Sequence, residues 1–229
     1  MTTITLNLQA IRTRIERAAS ACARRTSEIS LLAVSKTVPA PYIEEACRAG
    51  QAAFGESYAQ EAVRKITQLG PLDIEWHFIG PIQSNKTRVI AEHFQWVHSV
   101  DRANIAVRLN DGRPAHLPPL NVCIQINVSG ELSKSGVAPG EERELARVIA
   151  DLNRLRLRGL MAIPEPTLDT ALQRSRYALL RKLRDELNAE GYQLDTLSMG
   201  MSDDLESAIA EGATIVRVGT AVFGSRETL

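Results

Sequence analysis

The sequence predicts a single (β/α)8 TIM barrel, an α/β fold, with an extra amino-terminal helix. Short β-branched apolar segments alternate with amphipathic segments through most of the 229 residues. Strands that alternate with helices are typical of a parallel sheet with right-handed crossovers. Eight such units can close into a barrel, a fold that takes about 200 residues or more. A doubly wound open sheet is the alternative, but no Gly-x-Gly-x-x-Gly motif follows the first predicted strand.

The eight predicted strands are short apolar runs separated by helical patterns or turn residues. They cover residues 29–36, 52–55, 74–80, 96–100, 121–128, 157–163, 194–199 and 214–219. Apolar residues repeat at intervals of three and four in residues 59–69 and 145–152, which predicts helices there. Leu180, Leu183 and Leu187 mark a third helix, and we expect Gly191 to end it.

An extra helix is predicted ahead of the first strand. One apolar stripe at helical spacing is formed by Ile4, Leu8, Ile11, Ile15, Ala18 and Cys22. The stretch most like a linker is residues 110–119, before the fifth predicted strand. Division of the chain there would leave two halves of four strands, neither with a closed sheet. We therefore expect residues 1–229 to form one domain.

Composition and charge exclude several classes of protein. The 27 Lys and Arg residues balance the 27 Asp and Glu residues, so the formal net charge is zero. A protein that coats nucleic acid carries a basic excess, and 4% aromatic residues offer few rings to stack on bases. Cys22, Cys47 and Cys123 form no Cys-x-x-Cys pair and have no histidine at ligand spacing. We therefore expect a reducing compartment, no disulfide framework and no metal site.

The amino-terminal segment and the hydropathy pattern predict a cytoplasmic protein. Residues 1–20 lack the basic-then-apolar layout of a signal peptide. No run approaches the roughly 18 consecutive apolar residues that a membrane span needs. With 44% hydrophobic and 24% charged residues, the composition is that of a folded globular protein.

In a barrel, chemistry is expected at the carboxyl ends of the strands, and the first predicted strand ends in a lysine. Lys36 has the parity of Leu32 and Val34, so the three side chains share one face. An amine among barrel-interior positions is costly unless its charge is paired or its pKa is lowered. A lowered pKa suits an amine that forms an imine with an aldehyde. The alternative is a lysine whose stem follows the rim while its ammonium reaches water.

The last two predicted strands lead into loops of small and hydroxyl residues. The seventh leads through Met201 to Ser202, which we expect to cap the next helix, and the eighth leads into Gly219 and Thr220. Backbone N–H groups at such helix starts suit a phosphate, and barrels often bind phosphate after strands seven and eight. Ordinary capping and turn chemistry is the alternative.

Charged residues accompany the same loops. Asp203 and Asp204 would repel a phosphate unless their carboxylates face away. Arg217 interrupts the β-branched run of the eighth predicted strand, with parity opposite to that of the valines beside it. A guanidinium on an interior strand needs an acceptor, which is either the carboxylate of a buried ion pair or an atom of a ligand.

Together these features describe one ligand. An aldehyde would react with Lys36, a phosphate would rest on the last two loops, and an acceptor would face Arg217. Pyridoxal 5′-phosphate (PLP) carries all three groups. Six segments that run from the first predicted strand to the carboxyl terminus carry a resemblance that extends over nearly the whole chain: LLAVSKTVP, FGESYAQE, IEWHFIGPIQSNK, QINVSGELSKSGV, RGLMAIP and LSMGMSDDLESAIAEGATIVRVGTAVFG. In these segments the sequence resembles the pyridoxal-phosphate homeostasis protein family, whose fold matches the barrel domain of alanine racemases.

The resemblance implies a role for each site residue. The implied cofactor-binding residues are Lys36, Met201, Ser202, Arg217, Gly219 and Thr220. Lys36 would form a Schiff base with PLP, backbone amides of the last two loops would hold the phosphate, and Arg217 would face the pyridine nitrogen. The family usually reads FGENY where this chain reads FGESY, so Ser57 replaces an asparagine and leaves open any cofactor contact of that amide.

Other residues of these motifs have simpler expected roles. We expect Trp76 and His77 to be hydrogen-bonded core residues of the third strand. Gln83 and Lys86 begin the next helical segment as caps or ligand contacts. Lys134 is expected in solvent, with a second role in transfer of the cofactor as the alternative.

Cofactor binding leaves carrier and enzyme as two different functions. A racemase needs two bases on opposite faces of its substrate, and alanine racemases take one, a tyrosine, from a second domain. The last predicted strand ends near residue 218, which leaves no room for such a domain, and the four tyrosines are expected on helix surfaces: Tyr42, Tyr58, Tyr177 and Tyr192. A permanent positive charge at the pyridine nitrogen also makes the ring a poorer electron sink.

The expected function is therefore intracellular PLP (vitamin B6) homeostasis or delivery by a monomer, without substantial catalysis, and no residue is assigned a catalytic role. PLP-dependent apoenzymes are the expected transient recipients of PLP. A small fold-type-III PLP enzyme of the racemase kind is the first alternative. A cofactor-free aldolase that uses Lys36 is the second.

Overall fold

Eight parallel strands form a closed barrel in the computed structural model, which describes residues 2–131 and 135–224. The strands are β1 (Ser30–Val34), β2 (Ala53–Glu56), β3 (Glu75–Phe78), β4 (Trp96–Val100), β5 (Leu120–Gln125), β6 (Leu155–Met161), β7 (Thr196–Ser198) and β8 (Ile215–Val218). Each strand pairs with the next along the chain, and β1 pairs with β8 to close the barrel. The predicted fold class is confirmed.

All eight predicted strands are present, and their bounds differ from the predicted ones by at most three residues at an end. The largest difference is at β5, which ends at Gln125 rather than at residue 128. Ile126 is buried beyond that end, so its side chain continues the apolar pattern after the ladder has stopped. Hydropathy alone therefore overestimates the length of this strand.

Helices surround the barrel and connect successive strands. They are α1 (Thr3–Ala21), α2 (Ala40–Arg48), α3 (Ala59–Gln68), α4 (Thr87–His93), α5 (Ala103–Gly112), α6 (Glu142–Ala150), α7 (Thr170–Ala189), α8 (Leu205–Ala210) and α9 (Thr220–Phe223). The three predicted helices between strands correspond to α3, α6 and α7. Helix α7 ends at Ala189, two residues before Gly191, whose φ of 105° is a left-handed conformation that favours glycine.

Helix α1 is the predicted extra element. Its buried stripe contains Ile4, Leu8, Ile11 and Ile15, as the spacing predicts, and Thr2 caps it by accepting a hydrogen bond from the Thr5 amide. The helix packs against α2, α8 and α9, so it covers the region where the first and last strands meet. It therefore adds a packed layer to the part of the wall that closes the barrel.

The main hydrophobic core lies between the strands and the helices, whereas the barrel interior is partly polar. A small apolar cluster of Trp96, Cys123 and Met161 is separate from the main core. His98 on β4 bonds to Ser198 on β7, and these strands are not neighbours, so the contact crosses the interior. Polar side chains inside a barrel depart from the branched apolar layers that usually fill it.

The stretch predicted to resemble a linker, residues 110–119, begins inside helix α5. The buried guanidinium of Arg113 then bonds to backbone oxygens of Ala91, Phe94 and Pro118, which fixes the following loop. The segment is therefore part of the barrel wall.

Three further expectations concern single residues and hydropathy. Cys22, Cys47 and Cys123 are free thiols. Lys134 lies outside the described residues. No described helix is long and apolar enough to cross a membrane.

Candidate functional site

One cavity at the carboxyl ends of β1, β7 and β8 contains all of the predicted site residues. Its volume is about 630 Å³, within the roughly 300–1,000 Å³ typical of small-molecule sites. The predicted residues that line it are Lys36, Met201, Ser202, Arg217, Gly219 and Thr220. Ser57, Ile79, Ile163 and Asp203 contribute further lining. The structure thus brings together residues from the beginning and the end of the chain.

Lys36 lies in the turn after β1, not inside the strand as the predicted bounds imply. Val34 and Lys36 both line the cavity, and Leu32 is buried on the same face, so the predicted parity continues past the end of the ladder. The Lys36 side chain is half-buried, and none of the ion pairs found within residues 2–131 and 135–224 involves its ammonium. An amine without a carboxylate partner is available to a ligand.

A buried lysine on α3 holds the backbone before Lys36. Lys65 Nζ donates to the carbonyl oxygen of Ser35 at 2.7 Å, to Glu56 Oε1 at 2.8 Å and to Glu61 Oε1 at 2.5 Å. Ser35 Oγ donates to the same Glu56 oxygen at 2.6 Å. Burial is the largest effect on Glu56 and raises its pKa despite the neighbouring ammonium.

The backbone after Lys36 is held from the same helix. The Thr37 amide donates to Glu61 Oε1 at 2.6 Å. Thr37 has φ of 64°, a left-handed conformation that is unfavourable for a β-branched residue. Such strain persists only where surrounding contacts determine it, and here it turns the chain directly after Lys36. The sequence pattern does not indicate this support, although Glu56 and Glu61 belong to the FGESYAQE motif.

The loops after β7 and β8 present backbone N–H groups to the cavity. Within the described residues, no acceptor is found for the amides of Ser202, Asp203 and Gly219. Gly219 begins the short helix α9, as predicted. The predicted capping role of Ser202 is wrong, because α8 begins only at Leu205 after a turn. Ser202 thus remains at the cavity wall instead of at a helix start.

The contacts of Asp204 explain why Ser202 does not cap α8 and why this carboxylate can lie close to a loop that is proposed to bind phosphate. Its carboxylate accepts hydrogen bonds from the Met201 amide and from the Tyr177 hydroxyl, both at 2.6 Å. The expectation that Tyr177 lies on a helix surface is wrong, because this side chain is fully buried and burial raises its pKa. Asp204 therefore does not line the cavity, whereas Asp203 lines its edge as an exposed side chain.

Arg217 is buried at the inner wall of the cavity and is held by neutral acceptors. Its Nη1 donates to Ser198 O at 2.5 Å and to Ser198 Oγ at 2.7 Å, and its Nη2 donates to Ala162 O at 2.7 Å. No ion pair to Arg217 is found among the described side chains, so the alternative of a buried ion pair is wrong. Burial lowers the pKa of its guanidinium, which stays charged because the ordinary value is so high.

The remaining motif residues are largely structural. Trp76 and His77 are buried core residues, as predicted, and His77 is hydrogen-bonded on both ring nitrogens. Gln83 precedes a 3-10 turn that ends at Lys86, and neither side chain lines the main cavity. Ser57 does line it, at the position where the family pattern has asparagine. The amine, the guanidinium and the free amides fit an anionic aldehyde such as PLP.

Comparisons with known proteins relate the chain to one family over nearly its whole length. The model of the family described as alanine racemase, N-terminal domain, matches residues 6–227. The chain is 60% identical over 227 residues to the pyridoxal phosphate homeostasis protein of Pseudomonas aeruginosa, a match that covers 99% of this chain and 97% of that protein. It is 55% identical over 230 residues to the protein of the same name from Escherichia coli, with 99% and 98% covered.

A solved structure is similar over nearly the whole fold. PipY of Synechococcus elongatus PCC7942, determined with PLP bound, superimposes with a TM-score of 0.80 at 40% sequence identity. The match covers 92% of this chain and 99% of that one.

Proposed function

Because the chain belongs to the family of the alanine racemase N-terminal domain, we propose that it binds PLP in the cavity between β1, β7 and β8. One observation carries the proposal: the same cavity is lined by a buried guanidinium, by an amine and by backbone amides, and the described residues supply no carboxylate to that amine and no acceptor to those amides. The names of the Pseudomonas and Escherichia relatives and the PLP in PipY support it.

Three groups of the chain would bind three parts of the cofactor. The Lys36 amine would form a Schiff base with the aldehyde. The amides of Ser202 and Gly219, with Thr220 and Met201 beside them, would bind the phosphate. Arg217 would donate to the pyridine nitrogen, because a guanidinium is a donor only. PLP supplies a reactive aldehyde and an electron sink when it is bound.

We further propose that the protein serves PLP homeostasis or delivery rather than turnover. Among the described residues that line the cavity, the titratable side chains are Lys36, Asp203 and Arg217. The hydroxyl of Tyr177 is bonded to Asp204, and this residue does not line the cavity. Asp203 is exposed at the edge of the cavity and Arg217 is held by backbone acceptors, so these residues offer no buried second base on the opposite side of a substrate, which racemisation needs.

The proposal also covers the recipients of PLP and the cell compartment in which the protein acts. Because Lys36 is half-buried, a PLP group bound to it would stay within reach of solvent and of an incoming protein, which suits transfer of PLP to apoenzymes. Free thiols at Cys22, Cys47 and Cys123 suit a reducing cytoplasm. We expect a monomer in which residues 1–229 act as a single domain.

Borohydride reduction followed by mass spectrometry tests the binding proposal. Wild-type protein incubated with PLP should carry a reduced pyridoxyl group on Lys36. Lys36→Ala should give no pyridoxyl adduct with a yield comparable to that of the wild type. Lys86→Ala is the matched control, since Lys86 is another half-buried lysine outside the cavity and should leave the adduct on Lys36. An adduct on another lysine in the wild type would contradict the proposed site.

Proton exchange tests the absence of turnover. PLP-loaded protein in deuterated water should not exchange the α-proton of L-amino acids at a rate above that of free PLP. Rapid exchange that Lys36→Ala abolishes would instead establish an enzyme of the racemase kind.

A further inference from the structure

A continuous chain of hydrogen bonds leads from the cavity through the barrel interior to its opposite end. Arg217 Nη1 lies 2.7 Å from Ser198 Oγ, and this oxygen lies 2.7 Å from His98 Nδ1. His98 Nε2 lies 2.9 Å from His77 Nδ1, and His77 Nε2 lies 2.7 Å from Glu75 Oε1. Glu75 is the first residue of β3, so its carboxylate lies at the amino ends of the strands.

The two ends of this chain of hydrogen bonds differ in their exposure to solvent. Ser198, His98, His77 and Arg217 are all at most 3% exposed, whereas the Glu75 side chain is 50% exposed. His77 stacks on Trp96 with ring planes 4° apart, which fixes the orientation of the imidazole. A change in the hydrogen bonding of the exposed carboxylate would therefore be transmitted to the cavity through ordered, buried groups.

The ends also determine where each hydrogen lies. Burial lowers the pKa values of both imidazoles, so each carries one ring hydrogen near neutral pH. Glu75 is an acceptor when ionised, because its contact with His77 lowers its pKa, so His77 donates from Nε2 and accepts at Nδ1. His98 then donates from Nε2 and accepts at Nδ1 from the Ser198 hydroxyl, which itself accepts from Arg217.

We propose that Ser198, His98, His77 and Glu75 form a relay of positioning residues that fixes the donors of Arg217 from the far end of the barrel. With Glu75 ionised, every donor in the relay points away from the cavity. If Glu75 cannot accept, the opposite arrangement becomes available, in which His98 donates from Nδ1 to Ser198 Oγ. Each imidazole keeps a single hydrogen in both arrangements, so the net charge of the pair is unchanged.

The reversal would alter the contacts of Arg217. Ser198 Oγ would then accept hydrogen bonds from both His98 and Arg217. The Ser198 hydroxyl hydrogen would have to rotate away from His98 Nδ1 toward another acceptor. Competition at this oxygen weakens the bond from Nη1 and loosens the guanidinium. The effect on a bound pyridine ring rests on the proposed function, whereas the relay itself is a property of the protein without PLP.

Nitrogen-15 NMR of the imidazoles, recorded without PLP at neutral pH, tests the relay. We expect His77 and His98 of the wild type to be in the Nε2–H form. Glu75→Gln should raise the Nδ1–H population of both, because the neutral amide oxygen is a weaker acceptor than the carboxylate and the amide N–H can instead donate to His77 Nε2. The exposed Glu28→Gln, at the same end of the barrel but bonded to Arg24 and Arg25, should retain the wild-type forms. Unchanged tautomers in Glu75→Gln would overturn the relay.

The absorbance spectrum of PLP-loaded protein tests the link to the cavity. Glu75→Gln and Ser198→Ala should both shift the absorbance maximum, and Glu28→Gln should not. Altered tautomers with an unshifted maximum would overturn the control of Arg217. Absence of an adduct on Lys36 in the wild type would instead refute the proposed function and would leave the tautomer result valid.

Discussion

Lys65 shows how much a single residue of this site depends on its surroundings. Its ammonium is about 8% exposed and is the cation for Glu56, a carboxylate with no exposure at all. Glu56 Oε2 has no hydrogen-bond partner among the described residues. A buried pair of this kind adds little to stability compared with an apolar pair, but removal of one partner leaves an uncompensated charge.

Lys65→Met should therefore destabilise the fold by about 3–5 kcal/mol. Urea unfolding measures this loss, and Lys65→Met combined with Glu56→Gln should recover part of it, because the buried charge is then absent. Lys182→Met is the matched control. Lys182 is 71% exposed, and its pair with Glu186 should contribute at most about 0.5 kcal/mol. Equal losses in the two lysine variants would contradict the buried network.

Residue-level expectations were accurate where alternation along a strand carries the information. The parity of Lys36 and Arg217 relative to their neighbours predicts the face of the strand on which each lies, and both side chains line the cavity. Lys65 and Glu61 are four residues apart on a helix, a spacing that is equally typical of an exposed pair. Only the packing of α3 on the Lys36 turn makes that pair part of the site, so the sequence alone did not identify it.

At the scale of elements, α1 contacts both loops that are proposed to bind phosphate. Arg14 Nη2 donates to the Ser202 carbonyl oxygen at 3.1 Å and is also paired with Glu206 on α8. Asn7 Nδ2 donates to the Val222 carbonyl oxygen on α9 at 2.9 Å. The extra helix thus connects the loop after β7 to the loop after β8 and holds them in one arrangement.

Arg14→Ala should weaken PLP binding because it removes the bond to the Ser202 carbonyl. One hydrogen bond contributes about 1 kcal/mol, which corresponds to roughly fivefold in affinity. Equilibrium titration of the absorbance change measures the effect. Arg17→Ala on the exposed face of the same helix should leave the affinity unchanged, and an equal loss in that variant would indicate a general effect on α1 instead.

The positions of the helices and strands could be predicted more accurately than the residues at which they begin and end. The apolar stripe of α1 and the eight strands follow from periodicity, because buried faces need apolar side chains at fixed spacing. The start of α8 could not be predicted, since Ser202 and Asp204 are both good capping residues. Contact between Asp204 and the buried Tyr177 decides between them, and that contact joins distant parts of the chain.

At the scale of the whole molecule, the buried histidine pair makes stability depend on pH. Burial lowers the pKa of His77 and places that of His98 well below the ordinary value of 6.5. The unfolded chain binds protons below about pH 6.5 where the folded chain does not, so stability is present above that pH and is lost as pH falls. Glu56 acts in the opposite sense, because its pKa is raised and its contribution falls as pH rises.

The free energy of unfolding should accordingly fall between pH 7 and pH 5, with part of the loss due to His98. Urea unfolding at the two pH values measures this, and His98→Gln should show a smaller loss than the wild type. The exposed His116→Gln should keep the full wild-type loss. A pH dependence that is the same in His98→Gln and the wild type would show that His98 does not remain neutral in the fold.

Closure of the barrel by β1 and β8 has a consequence for synthesis on the ribosome. The first strand can find its second neighbour only after the last strand has been made. Until then the nascent sheet has two open edges, at β1 and at the most recently completed strand, and open edges pair readily with other chains. Helix α1 precedes the barrel and packs beside the same seam, so it can shield apolar surface near β1 early. We therefore expect the full chain to release from the ribosome in a foldable form, whereas chains that stop before β8 should aggregate.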